Sequence, residues 1–143
     1  MCFYKNTGYC ANLRHKDAKK DIECYKVMQS YEDNTLSSLV FHTTDFYNVG
    51  GTMEAEQHSM DLLDALYMLE KGVIHSYADI ELAYGLLWRI IRNDSYSNPC
   101  VVKCVIPKDT PYWKNRYGEY ASTKIIIKEV VFKYGKHITK III

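Results

Sequence analysis

The sequence predicts a single α+β domain, residues 1–143, in which a mixed or antiparallel sheet is combined with two central helices. Apolar runs typical of strands lie near both ends of the chain, and two patterns of helical period lie in its middle. No repeat, low-complexity tract or Pro/Gly-rich linker divides the 143 residues, which is the length of one domain. A chain of this length buries roughly two thirds of the surface that it exposes when unfolded.

The first third of the chain predicts two strands. Residues 1–20 show no clear period and are predicted to be irregular. The mixed-charge stretch Leu13–Asp21 is typical of a solvated turn or short helix, with a phosphate-binding patch as the alternative. Alternation then predicts a strand over Asp21–Gln29, the polar cluster Ser30–Thr35 predicts a turn, and a second strand follows at about Leu36–His42.

The first predicted helix begins at Met53, after the breakers Gly50 and Gly51. It ends at Lys71, where Gly72 is well placed as a left-handed C-terminal cap. Its core-facing stripe is formed by leucines at helical spacing: Leu62, Leu63, Leu66 and Leu69.

The second predicted helix opens at Ser76, because Ser76-Tyr77-Ala78-Asp79 has the spacing of a capping box. The helical period continues until the polar cluster Asn93-Asp94-Ser95 ends it. The apolar residues that follow this period are Ile80, Ala83, Leu87 and Ile90.

Strands return in the last third of the chain. The sequence predicts a strand over Pro99–Ile106, a loop over Pro107–Ser122 and a long strand over Thr123–Lys133. A final strand is predicted over His137–Ile143, where the run HITKIII would promote aggregation if it were left unpaired.

Cysteine usage predicts reduced thiols and no metal centre. The number of cysteines is odd and their positions form no compact disulfide framework. No C-x2-C pair is present, so a zinc site is not predicted. Cys100 and Cys104 are four residues apart on a predicted strand and should share one core face with Val102 and Ile106. The five cysteines are Cys2, Cys10, Cys24, Cys100 and Cys104.

Charge and hydropathy exclude several classes of function. The 18 Lys and Arg residues nearly balance the 17 Asp and Glu residues, giving a net charge of +1, so no global field favours nucleic acid as a partner. No apolar segment approaches the roughly 20 residues that cross a bilayer, and the first residues lack the apolar stretch of a signal peptide. A cytoplasmic protein with no membrane partner is predicted.

Three polar clusters lie where predicted strands end or a predicted helix begins, the positions at which scaffolds often present sites. They are His42-Thr43-Thr44, His75-Ser76-Tyr77 and Gly118-Glu119-Tyr120-Ala121-Ser122. Together they suggest a nucleotide pocket, because a helix N-terminus can hold phosphate, tyrosine can stack and histidine can bind a ribose hydroxyl. Glu119 would stabilise positive charge developing on a sugar. The aromatic and cationic loop adds Tyr112, Trp113 and Arg116 as candidate binding residues.

The order of the segments FHTTD, GVIHSYADIELAY, VVKCVIP and GEYASTKIIIKEVVF, over roughly residues 38–133, resembles the ADP-ribosyltransferase fold. The resemblance implies NAD as the ligand and three catalytic residues. By this resemblance His42 would hold the NAD ribose, Tyr77 would stack on nicotinamide, and Glu119 would orient the acceptor and stabilise the cation. Thr43 and Ser76 would join them in binding the cofactor. The chain departs from the family in having H-T-T for H-G-T and no E-x-E pair, and in placing Tyr77 at a predicted helix start.

Each candidate residue also has a structural interpretation. His42 would be a strand-end histidine with satisfied hydrogen bonds, and Tyr77 a packing residue. Glu119 would be a turn carboxylate paired with Lys114 or Arg116, an exposed pair worth under about 1 kcal/mol.

Two functions therefore remain open from the sequence. The first is an NAD- or nucleotide-binding protein that transfers ADP-ribose to an acceptor. The second is a non-catalytic protein of bacterial or phage origin that holds a nucleotide or a host protein through the aromatic loop 107–122. Its source is suggested by the combination of IPK and GEYAS, which resembles an ending of small uncharacterised proteins of gut bacteria and their phages. A dimerising structural protein, paired through its terminal strand, is a third interpretation.

Overall fold

The computed structural model describes residues 15–39, 45–55, 73–93, 98–134 and 139–141. In these residues the chain forms a mostly antiparallel β fold with one helix. The predicted α+β class with two central helices is therefore wrong. No helix in the described part of the chain is long and apolar enough to cross a membrane.

The described part of the chain consists of ten strands and one helix, α1, which lies between the fifth and sixth strands. The elements are β1 (Lys16–Asp17), β2 (Ile22–Ser30), β3 (Leu36–Ser38), β4 (Thr52–Glu54), β5 (Ile74–Tyr77), α1 (Ile80–Arg92), β6 (Pro99–Ile106), β7 (Pro111–Lys114), β8 (Glu119–Ser122), β9 (Lys124–Tyr134) and β10 (Thr139–Ile141).

All the strands join one sheet through antiparallel pairs. The order across the sheet is β1-β7-β8-β5-β2-β6-β9-β10, with β3 added to β2 and β4 added to β9. The two longest pairings, β2 with β6 and β6 with β9, form the centre of the sheet.

The sheet curls on itself at Thr123. This single residue joins β8 to β9, although β5, β2 and β6 lie between those strands in the sheet. The backbone N–H of Thr123 also donates to the Pro111 carbonyl at 3.3 Å, and its carbonyl accepts from the Ala55 N–H at 2.8 Å. Distant strands therefore meet at Thr123, and the curled sheet has an inner and an outer face.

Strand alternation divides the core between these two faces. Inward side chains of β2, β6 and β9 form the larger apolar cluster, and the prediction that Cys100, Val102, Cys104 and Ile106 share one core face is confirmed. The inner cluster also includes Cys24, Met28, Met53, Ile125 and Ile127.

The outer face is covered at its centre by α1. Ala83, Leu87 and Ile90 point from the helix onto outward side chains of the sheet, among them Val27 and Val101. Leu87 is completely buried, and removing a side chain of this size from water stabilises the fold by about 2 kcal/mol.

Helix α1 begins later than the sequence predicts. Ser76 lies in β5 with its side chain on the inner face, so the predicted capping box is wrong. Asp79 instead occupies the N-cap in an extended conformation, with no side-chain capping hydrogen bond. The helix is favoured electrostatically by Glu81 in its first turn and by Arg89 and Arg92 in its last.

Three other predictions also differ from the structure. The predicted start of the first helix at Met53 is wrong, because Thr52–Glu54 is a strand paired with β9; residues 56–72 lie outside the described part. The predicted loop 107–122 is a hairpin of β7 and β8. Part of the irregular segment 1–20 forms β1, and residues 1–14 are not among those described.

Candidate functional site

A cleft of about 740 Å³ opens where β1, the start of β2 and the β7–β8 hairpin meet. It brings together the mixed-charge stretch and part of the aromatic segment, which lie about a hundred positions apart in the sequence. Its lining consists of Lys16, Asp17, Lys19, Lys20, Asp21, Ile22, Glu23, Tyr112 and Tyr120.

Two tyrosines form the aromatic wall of the cleft. The rings of Tyr112 and Tyr120 meet edge to face, with their centroids 5.9 Å apart. The ammonium of Lys114, which is the cross-strand partner of Tyr120, lies 5.4 Å from the centre of the Tyr120 ring. Burial, and then the neighbouring Cys24 thiol, raise the pKa of Tyr120, so its hydroxyl is neutral at pH 7. Tyr112 is only partly buried and leaves ring surface within reach of a ligand.

Three lysines stand at the rim of the cleft, together with three carboxylates. Lys16 is the cross-strand partner of Tyr112 and therefore projects on the same face, while Asp17 projects on the opposite one. Lys19 and Lys20 follow in the turn and are exposed.

Two of the three carboxylates in the cleft are engaged elsewhere. Asp21 accepts a hydrogen bond from the Lys108 backbone N–H at 2.9 Å. Glu23 accepts one from the Tyr25 hydroxyl at 2.8 Å and lies 3.5 Å from the Lys103 ammonium. These contacts, the Tyr25 hydrogen bond first, lower the pKa of Glu23. The lysines are the side chains of the lining that can receive an anion, and of the three carboxylates Glu23 is paired with a lysine outside the cleft.

A second unusual feature, Lys26, lies inside the curled sheet. Its side chain points inward from β2 between Cys24 and Met28, and the residue is 4% exposed. Its ammonium donates to the His75 carbonyl at 2.8 Å. Burial lowers the pKa of Lys26 from 10.5 to about 8, because the apolar interior disfavours the charged form.

The groups around Lys26 include no carboxylate partner among the described residues. The titratable groups that influence its pKa are the thiols of Cys104 and Cys24, which are neutral because burial raises their own pKa values, to about 11 for Cys24. Ser76 and Ser122 point into the same interior. The hydroxyl of Ser122 is fully buried and has no hydrogen-bond partner in the described structure, and that of Ser76 lies against the Cys24 thiol.

The predicted catalytic residues Tyr77 and Glu119 are brought side by side, as cross-strand partners of β5 and β8. They lie on the outer face, where Tyr77 is buried in the cluster beneath α1. Ser76 is on the inner face, so the predicted group His75-Ser76-Tyr77 is split between the two faces. His42 and Thr43 lie outside the described residues.

Glu119 takes part in the hairpin turn. One of its carboxylate oxygens accepts from the Asn115 side-chain amide at 2.7 Å. The side-chain oxygen of Asn115, Oδ1, accepts in turn from the backbone N–H groups of Tyr117 and Glu119, at 3.0 and 3.1 Å. Gly118 completes the turn with φ +80°, a conformation that glycine adopts without strain. The carboxylate thus has a structural partner in Asn115.

The other predicted binding residues separate in the same way. Trp113 is 1% exposed and faces away from Tyr112, with its ring edge-on to His15 at a centroid distance of 5.8 Å. Arg116 lies in the exposed turn, where it stacks on Tyr117 at 5.0 Å and donates to its hydroxyl at 2.8 Å. Of the predicted binding residues, Tyr112 lines the cleft.

Sequence reasoning missed Lys26, although a signal was present. In the alternating strand IECYKVMQ, Lys26 occupies the same face as Ile22, Cys24 and Met28. A lysine at a strand position whose side chain faces the core indicates either a buried amine or a strand at the edge of the sheet. The three strands that pair with β2 exclude an edge position.

No three His, Cys, Asp or Glu side chains in the described part of the chain lie close enough to hold a metal ion. No protein-family model, curated protein or solved structure matches the chain. The cleft and the buried lysine are therefore the features from which a function can be inferred.

Proposed function

We propose that the protein binds a nucleotide-like small molecule in the cleft, without needing to transform it. The observation that carries this proposal is the presence of three lysines and an aromatic wall in one cleft of about 740 Å³. A nucleotide combines the two complementary features, an anionic phosphate and a planar base. NAD and ADP-ribose belong to the same chemical class.

The two halves of the cleft contribute differently to binding. A base stacked on a tyrosine gains about 1 to 3 kcal/mol, so Tyr112 can provide an appreciable part of the affinity. The lysines lie in solvent, and their attraction for phosphate is screened by salt within a Debye length of about 10 Å at 0.1 M. Affinity should therefore fall as salt increases, but it should not vanish.

Calorimetric titration with ADP, adenosine and pyrophosphate tests this proposal. ADP should bind more tightly than either of the other two, which each engage one half of the cleft. Tyr112→Ala should weaken binding of ADP and adenosine but leave that of pyrophosphate. Lys20→Ala should weaken binding of ADP and pyrophosphate but leave that of adenosine. Tyr117→Ala and Lys128→Ala are matched controls, because both residues are exposed and lie outside the cleft. Equal losses in the controls, or no binding of ADP, would contradict the proposal.

Transfer of ADP-ribose is a second proposal, favoured by one observation: strands β5 and β8 place Tyr77 and Glu119 side by side. Glu119 would stabilise the cation formed as nicotinamide leaves NAD. Release of nicotinamide by the wild-type protein, and its loss in Glu119→Gln, would support this activity. If the wild type releases no nicotinamide while ADP binds in the cleft, the protein is a binder and the transferase proposal fails.

A host protein is the alternative partner to a nucleotide. The turn of the β7–β8 hairpin presents Arg116 and Tyr117 at the surface, where Tyr117 is 39% exposed. Arginine and tyrosine side chains are common anchors of protein interfaces. If a host protein is the partner, Tyr117→Ala should weaken binding of that protein, although the same substitution serves as a control for nucleotide binding.

A further inference from the structure

A row of inward-facing residues runs across three adjacent strands below the cleft. Tyr120 on β8 is the cross-strand partner of Ser76 on β5. Because Tyr25 pairs with Tyr77 in the antiparallel contact of β2 and β5, the next pair places Lys26 beside Ser76. Adjacent strands are about 4.8 Å apart, so Lys26 lies two strand spacings from a residue that lines the cleft.

We propose that Lys26 is a reactive amine that captures a small aldehyde as an imine inside the curled sheet. This proposal is independent of nucleotide binding, since it uses the interior face and not the lysine rim.

The surroundings of Lys26 favour the neutral amine, which is the nucleophile in such a reaction. An ammonium without a carboxylate partner is poorly stabilised in an apolar interior, and its pKa falls to about 8. At pH 8 about half of the amine is neutral, compared with under about one per cent for an exposed lysine. The thiols of Cys24 and Cys104, the titratable groups facing it from β2 and β6, stay neutral in this range and add no charge.

The Ser76 hydroxyl beside the amine suits the intermediate of the reaction. The amine nitrogen attacks the aldehyde carbon, and the C=O electron pair moves to oxygen, which takes up a proton to give a carbinolamine. Loss of that hydroxyl with a proton from nitrogen forms the C=N bond and releases one water molecule. The hydroxyl of Ser76, which lies beside Lys26 on the adjacent strand, can hydrogen-bond the carbinolamine oxygen.

Tyr120 separates this interior from the cleft. It belongs to the inner cluster and is 8% exposed, yet it also lines the cleft. Rotation of its ring is the shortest route by which a small molecule would pass from solvent to Ser76 and Lys26. A substitution that removes the ring should therefore speed the reaction of Lys26 without affecting surface lysines.

Reductive trapping tests the proposal. The folded protein is treated with acetaldehyde and cyanoborohydride at pH 8, and the modified lysines are identified by peptide mass spectrometry. Lys26 should be ethylated about tenfold faster than the exposed Lys128, with a rate that levels off above pH 8. Modification of Lys26 that requires a denaturant would overturn the proposal.

Two variants connect the result to the geometry. Tyr120→Ala should increase the rate at Lys26 several-fold if the cleft is the entrance, and Ser76→Ala should decrease it by a similar factor. Circular dichroism establishes that each variant remains folded, and an unchanged rate at Lys128 shows that the substitution acts at Lys26. An equal change at Lys26 and Lys128 would contradict the proposed entrance and the role of the serine.

Discussion

Two lysines in neighbouring strands occupy opposite faces of the sheet and meet very different surroundings. Lys103 projects outward from β6 and lies 3.5 Å from Glu23 and 3.9 Å from Glu129, with a third of its side chain exposed. Lys26 projects inward from β2 and has the His75 carbonyl as its acceptor, with no carboxylate partner in the described structure. The charge of Lys103 is balanced by two carboxylates and by solvent, whereas burial lowers the pKa of Lys26.

The contrast shows that stability and chemistry are divided between the two faces. The outer face holds α1 through apolar contacts and carries exposed ion pairs, which contribute little each. The inner face contains an amine and two serine hydroxyls within an apolar cluster, an arrangement that disfavours folding. Substitutions that remove these side chains should therefore lower the free energy of unfolding on the outer face and raise it on the inner face.

The largest effect is expected on the outer face, from Leu87→Ala in α1. Leu87 is completely buried against the sheet, so truncation removes apolar contacts and leaves a cavity. The free energy of unfolding should fall by about 2 to 5 kcal/mol, measured by urea denaturation. Leu82→Ala is the matched control on the same helix, because Leu82 is 38% exposed. A similar loss in both variants would show that α1 is held by something other than its buried stripe.

Lys26→Met, on the inner face, should raise the free energy of unfolding. The shift of the Lys26 pKa from 10.5 to about 8 corresponds to about 3 kcal/mol of destabilisation at pH 7. Leaving the His75 carbonyl without this donor offsets about 1 kcal/mol, so a net gain of about 2 kcal/mol is expected. Lys103→Met, on the other face, should change stability by less than about 1 kcal/mol. A loss of stability in Lys26→Met would mean that the inner ammonium has a partner.

The difference between wild type and Lys26→Met should also depend on pH. Below pH 8 the amine is protonated in both the folded and the unfolded state, and the fold bears the full penalty. Between about pH 8 and 10.5 the unfolded state binds more protons, so the stability of the wild type should rise relative to the variant. Urea midpoints at pH 7, 9 and 10.5 measure this convergence. A difference that stays constant would contradict the assigned pKa shift.

The sequence predicted the central strands well, because their signals are local. The predicted strands at Asp21–Gln29, Pro99–Ile106 and Thr123–Lys133 match β2, β6 and β9 closely, and the final predicted strand contains β10. Each of them combines β-branched residues with a run of five or more apolar or alternating positions.

The remaining elements depended on tertiary contacts that the sequence does not reveal. Ile74–Tyr77 is a four-residue strand that exists through its pairing with β8, and its Ser76 happened to stand three residues before an aspartate. The β7–β8 hairpin was predicted as a loop because its strands are equally short. The spacing of Asn115 and Gly118 was its available turn signal.

The cleft could not be predicted from the sequence for the same reason. Lys16 meets Tyr112 through the pairing of β1 with β7, strands that lie far apart in the chain. The mixed-charge stretch and the aromatic segment were each recognised as candidates, but nothing in their spacing indicated that they share one cleft.

A smaller effect is expected from a matched pair of serines. Ser122→Ala removes a buried hydroxyl that has no hydrogen-bond partner in the described structure and should raise stability by up to about 1 kcal/mol. Ser30→Ala removes one that donates to the Asn98 carbonyl at 2.9 Å, so it should lower stability by about 1 kcal/mol. Urea denaturation of both variants compares them directly. Losses of equal size would indicate that Ser122 has a buried partner, such as an ordered water.

The smallest effect on stability is expected from Glu23→Gln, because this carboxylate is exposed on the outer face. Its consequence should appear in a titration instead. The Tyr25 hydroxyl donates to Glu23 at 2.8 Å, and this bond raises the pKa of Tyr25 to about 12. With a neutral amide in place of the carboxylate, the pKa of Tyr25 should return toward 10, which NMR of labelled tyrosine can follow. The pKa of Lys26 should not change, because its cause is burial rather than the Glu23 charge. If both values moved together, the two faces would be electrostatically coupled, and the contrast between Lys26 and Lys103 would reflect one shared network.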